Sequence, residues 1–194
     1  MSELNDVISE LNSVAEVIRR SVAKAAADVL PTGIAPRPQI HVLGDTFDQP
    51  YIGYVVCRPY YRGHDAMAAI SHLGRIAAAM CATRLVVVWE EFDLRTSILG
   101  PSDNYPNGLA LLDAEFPSSH NLTWLPFDYY TSARSSTLGL SWGHPSTQLD
   151  IALPEPIPSL LTAWRAPAPF GQDGVEHTLT EALHDGYEMH FVKR

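Results

Sequence analysis

Residues 84–90 read RLVVVWE, and five apolar side chains in a row, Leu85 to Trp89, are the tightest constraint this chain carries. Side chains of a strand alternate between the faces of its sheet, so an uninterrupted apolar run is buried only when both faces are covered. The chain must therefore supply a layer for each side. Residues 3–29 are one such layer: Leu4, Ile8, Leu11, Ala15, Ile18, Val22, Ala25 and Val29 recur every three or four residues, the period of a helix face. Acidic Glu3, Asp6, Glu10 and Glu16 occupy its first half and basic Arg19, Arg20 and Lys24 its second, which complements the helix dipole and sets Glu16 to pair with Arg20. Pro31 and Gly33 stop it. Residues 66–82 supply the second layer, an Ala-rich helix with Asp65 as its expected N-cap and Ser71, His72 and Arg75 on its exposed edge.

The segments 39–43 and 51–58 read as a hairpin across a polar turn. A helical turn at 92–98, strands at 109–116, 122–130 and 137–142, helices at 158–165 and 174–184, and a strand at 187–192 follow. Prolines 145, 154, 156 and 158 mark a stretch expected to run over the surface. The expectation is one α/β or α+β domain over 1–194. It has a mixed sheet of about six or seven strands with the N-terminal amphipathic helix and the Ala-rich helix packed on it. Residues 1–30 double as a candidate oligomerisation arm, and 145–194 form a Pro-punctuated C-terminal wrap.

With 194 residues, 46% of them hydrophobic, the chain can bury one core but not two full-sized ones. Twenty-two acidic against 13 basic residues give a net charge of -9, which repels a phosphate backbone and argues against general nucleic-acid binding. No run approaches the roughly 20 apolar residues of a spanning helix, and MSELNDVISE lacks the basic start and apolar run of a signal peptide. A cytoplasmic protein without membrane contact is expected. Cys57 and Cys81 are too few for a disulfide framework or a closed zinc site, though one bridge stays open.

Five places bear chemistry. The junction CRPYYRGHD gathers Arg58, Arg62 and His64 before a helix N-terminus, a candidate anion site; the ordinary alternative pairs the arginines with nearby acids. Glu90, Glu91 and Asp113 could hold a divalent metal if strand ends converge, and the helix, hairpin, helix, strand order resembles the core of restriction-endonuclease-like nucleases. That family's Glu-x-Lys signature is missing, since no Lys lies between Lys24 and Lys193. GLSWG, residues 139–143, matches a nucleophile elbow at Ser141, with His144, His177 or His184 and Asp150 or Asp173 as partners, but no helical period follows it. His177, Glu181 and His184 share one helix face with metal-ligand chemistry, but Val175, Leu179 and Leu183 form the opposite apolar stripe, so solvated polar residues are the ordinary reading of that outward face. Finally, Leu4, Ile8, Leu11 and Ile18 with Tyr60, Tyr61, Tyr129 and Tyr130 are candidates for contact with other protein chains.

No cofactor is expected. The leading functional expectation is a non-catalytic protein-binding or assembly component that self-associates. The alternatives are an acidic inhibitor or immunity-type protein capturing a basic partner, and a metal-dependent hydrolase with a nuclease-like core.

Overall fold

The structure is a computed structural model describing residues 2–44, 49–131, 138–166 and 172–192, with side chains from residue 14 in the first helix and from 174 in the last. The elements are α1 (Ser2–Val29), β1 (Gln39–Leu43), β2 (Tyr51–Val56), α2 (His64–Ala79), β3 (Arg84–Glu90), α3 (Glu91–Leu99) and β4 (Gly108–Glu115). They continue with β5 (His120–Thr131), β6 (Leu138–Trp142), β7 (Ser146–Leu149), α4 (Ile157–Arg165), α5 (Gln172–His184) and β8 (Glu188–Phe191). A 3-10 turn, Leu30–Thr32, follows α1.

The strands form one eight-stranded sheet in the order β6-β5-β4-β3-β1-β2-β8, with β7 beside β6 on the same edge of β5. The fold is α+β, as the sequence implies, but its sheet is antiparallel at every ladder rather than mixed. The strand beyond the expected count is β7, in the Pro-punctuated stretch. Its polar STQL has no strand pattern of its own and is captured because residues 121–124 of the long strand β5 offer an open ladder.

β3 lies near the middle of the sheet and all seven of its residues are buried. On one face Ile40, Val42, Val55, Leu85, Val87, Trp89, Ala110 and Leu112 pack beneath α2, α4 and α5. On the other, Leu43, Val86, Val88, Leu109, Leu111 and Phe127 pack against Ala15, Ile18, Val22, Ala26 and Leu30. The buried stripe of α1 departs from the sequence reading after Val22, where it passes through Ala26 and Leu30 and leaves Ala25 and Val29 exposed. Alternating steps of three and four average 3.5 residues, whereas a straight helix turns every 3.6, so the face drifts and a run of four-residue steps restores it. The Glu16–Arg20 pair forms as expected, at 3.0 Å.

The Ala-rich helix α2 lies closest to α4, and the contact turns on Gly74, where a Cβ would fall 2.0 Å from the Leu160 carbonyl oxygen. Helix propensity alone favours Gly→Ala by about 1 kcal/mol. Overpacking against backbone costs about 3 kcal/mol and decides the sign. Gly74→Ala is therefore expected to lower stability by about 2 kcal/mol in urea unfolding; a gain would mean that the two helices separate freely.

Candidate functional site

The three acids considered for a metal do not converge. Glu90 is the N-cap of α3: its carboxylate accepts the Phe92 and Asp93 backbone N–H groups at 3.1 and 2.6 Å. Burial raises its pKa, and these backbone hydrogen bonds act against that rise. Glu91 is buried on α3, where its oxygens accept the Trp89 indole N–H and the Arg95 Nε–H, both at 2.6 Å. Asp113 holds Arg84 through two 2.7 Å bonds. Glu90 is in register with Leu109, four residues from Asp113 along β4, a separation of about 13 Å. Asp113 also shares the α1 side of the sheet with Leu109 and Leu111, whereas Glu91 bonds Trp89 on the opposite side. Among the described residues, no group of three His, Cys, Asp or Glu can hold a metal ion, and the nuclease likeness gains no support from this geometry.

The arginine-rich junction is satisfied internally. Gly63, at φ +81°, takes the N-cap place expected of Asp65, and α2 starts two residues earlier, at His64. The positive φ suits glycine and frees Asp65 to fold back on the loop. Its carboxylate accepts the Tyr61 N–H at 2.7 Å and Arg58 at 2.5 and 3.3 Å. Hydrogen bonding to Arg58 holds the Asp65 carboxyl below its usual range. Arg58 is thus committed, His64 and Arg62 are exposed, and the three do not form a common anion cradle. Tyr60 is half-buried against the core, and Tyr61 stands open to solvent.

Ser141 lies on exposed β6, with its hydroxyl 3.5 Å from the Asp128 carbonyl. Strand β7 follows it, so no strand-to-helix elbow exists. The flanking glycines have packing reasons: a Cβ at Gly139 would fall 2.5 Å from the Tyr130 ring, and one at Gly143 would fall 3.0 Å from the Pro126 ring. Each lets a ring of β5 lie across its neighbour.

On α5, His177 and Glu181 meet at 3.4 Å on the exposed face, and His184 is also exposed. The face turned inward carries Thr178, Leu179 and Ala182, while Leu183, expected in the apolar stripe, is exposed. Cys57 is buried, its thiol pKa pushed up to about 12 by burial, and Cys81 is exposed; both are free, so the open bridge is not made. Ile18 belongs to the core and is not available to a partner. The side chains of Leu4, Ile8 and Leu11, and that of Asp173, lie outside the described residues. Among the described residues, no helix is long and apolar enough to cross a membrane.

Among the described residues, what remains open is the outer edge of the sheet. β6 pairs with residues 127–131 of β5, and β7 with 121–124, so together they line one edge. Leu138, Leu140 and Trp142 stand opposite Thr131, Tyr129 and Phe127. This face continues the core under α1, with the Trp142 and Tyr129 rings edge-on to buried Phe127 at 5.7 and 5.4 Å. It ends in solvent: Trp142 is 37% and Leu149 72% exposed, with Tyr130 on the reverse face at 53%. The sequence flagged Tyr129 and Tyr130, but missed Leu138 and Leu149. The available signal was the absence of any Asp, Glu, Lys or Arg from 138 to 149, in a chain that is 18% charged. No family model, curated protein or solved structure matches this chain.

Proposed function

We propose that this protein is a non-catalytic assembly component that joins a second copy of itself along β6. The carrying observation is the uncharged, apolar, open edge Leu138–Trp142. Unpaired strand edges are templates for further pairing, and proteins that stay monomeric blunt them with charge, especially lysine, or with proline. Here Pro145 stands only beyond the end of β6. The opposite edge, β8, is four residues long and carries Glu188, which is ion-paired with Arg37.

A two-fold antiparallel pairing centred on Leu140 sets Leu138 of one copy against Trp142 of the other, twice. It joins the apolar faces that end at Tyr129 in each copy and makes one continuous sheet. Buried aromatic anchors of this kind contribute about 2 kcal/mol or more each to association. Native mass spectrometry is expected to give twice the 21.4 kDa chain mass for the wild type and a folded monomer for Leu138→Lys/Trp142→Lys. A Leu140→Cys variant in a Cys81→Ser background is expected to cross-link to itself on mild oxidation. A wild-type monomer, or a dimer indifferent to both lysines, would refute the reading.

A further inference from the structure

A second feature lies on the sheet face that packs beneath α2, α4 and α5, at its β5 and β7 side. There a cleft of about 220 Å³ opens between α3 and the segment 151–154. Its walls are apolar, with Trp89, Ala110, Leu122 and Trp124 contributed by three adjacent strands. Trp124 is held flat: a Cβ on Gly108, across the β4–β5 ladder, would fall 2.0 Å from its ring, so only glycine permits that pose.

The polar groups sit at the rim. On one side is Arg95, whose Nε–H is donated to Glu91, while its terminal nitrogens have no acceptor among the described residues. On the other side are Ser146 and Gln148 of β7. Glu91 grips both the Trp89 indole and Arg95, so wall and donor are held by one buried carboxylate. That carboxylate also cancels the guanidinium charge. The cleft therefore offers N–H and O–H donors and aromatic walls without net charge, in a chain of charge -9. A carboxylate or phosphate would enter without compensation, and a cation would face the Arg95 guanidinium.

We propose that this cleft binds a small, uncharged aromatic molecule bearing a carbonyl or amide oxygen, with the ring against Trp124 above the buried Trp89 and the oxygen accepting from Arg95. The size fits: an apolar cavity of about 150 Å³ holds benzene, so this one takes a single ring and a short polar substituent. Apolar walls with a few placed polar groups are the usual make-up of a small-molecule site.

The test titrates the full chain with benzamide, benzoate and benzylamine, which share a ring and differ in charge, and follows binding by saturation-transfer NMR and tryptophan fluorescence. Benzamide is expected to bind with a Kd on the order of 1 mM, the range open to a ligand of this size. Its two charged analogues are expected to bind about tenfold more weakly or not at all. Ala152→Trp, on the exposed rim, is expected to abolish benzamide binding while leaving the melting temperature unchanged. Arg95→Met is expected to weaken benzamide about tenfold through loss of the donor. Three results would each overturn the proposal: failure of all three compounds to bind, benzoate or benzylamine binding as well as benzamide, or binding indifferent to Ala152→Trp.

Discussion

Asp113→Ala is expected to unfold about 6–12 °C below the wild type, because about 3 kcal/mol is lost and each kcal/mol moves the midpoint by about 2–4 °C at this chain length. The reason is the partner left behind. Arg84 and Asp113 are 7% and 13% exposed at their side chains and bond through two 2.7 Å contacts. Truncating one member of such a pair costs about 3–5 kcal/mol, since the other charge stays buried without its counter-ion. Glu115, 3.4 Å from Arg84 and largely exposed, retains some compensation and puts the loss at the lower end. Replacing both by apolar residues, Arg84→Met with Asp113→Leu, is expected to recover most of the loss. Differential scanning calorimetry of the three variants decides it. An acid kept for metal chemistry at the expense of stability behaves the other way: its removal is neutral or stabilising. That outcome would mean that Arg84 finds sufficient compensation in the fold without Asp113.

This acid illustrates what the sequence does and does not carry. Asp113 alternates with Leu112 and Ala114, so its place on the sheet face opposite those two was legible from period two, though not the cover of that face by α1. Its partner was not, since Arg84 lies 29 positions earlier and only the β3–β4 register brings them together. The two-layer cover of β3 was equally legible, because five apolar residues in a row admit no other burial. Direction of pairing was not: parallel and antiparallel ladders place similar demands on a buried strand, and short connections alone leave room for crossovers. The open edge was half legible. Tyr129 and Tyr130 stood out by residue type, but Leu138 and Trp142 look like core until β6 is known to be last in its sheet. GLSWG resembles a catalytic turn for the converse reason, as glycines that make room for Tyr130 and Pro126 have the same spacing, and the missing helical period after it was the legible sign against an elbow.

The second large effect is a dependence on acid carried by His41. This residue is buried on β1, stacked on Tyr54 at 5.5 Å between ring centres, with Nδ1 3.0 Å from the Tyr51 hydroxyl. Its Nε2 is buried and has no partner among the described residues. Burial lowers its pKa from 6.5 to about 4. Below pH 6.5 the unfolded chain binds a proton that the folded chain refuses, so stability is fully present above that pH, falls as the pH drops toward 4, and levels off beneath it. Within that window stability falls by about 1.4 kcal/mol for every step of one in pH, and the loss reaches about 2.5 kcal/mol by pH 4.5. Other groups titrate nearby: burial also lowers His72, and the Asp65 and Glu188 carboxyls are held low by hydrogen bonds to Arg58 and Arg37. The difference between wild type and variant isolates His41 from them. Phenylalanine fills the same place in the stack without a site for the proton, so His41→Phe is expected to lose about 2.5 kcal/mol less than the wild type between pH 7 and pH 4.5 in urea unfolding. Equal losses in the two proteins would mean that the imidazole keeps its proton inside the fold. The orphaned Nε2 would then have an acceptor, and the neighbouring exposed His190, stacked on Tyr54 at 4.4 Å, would mark the side from which it comes.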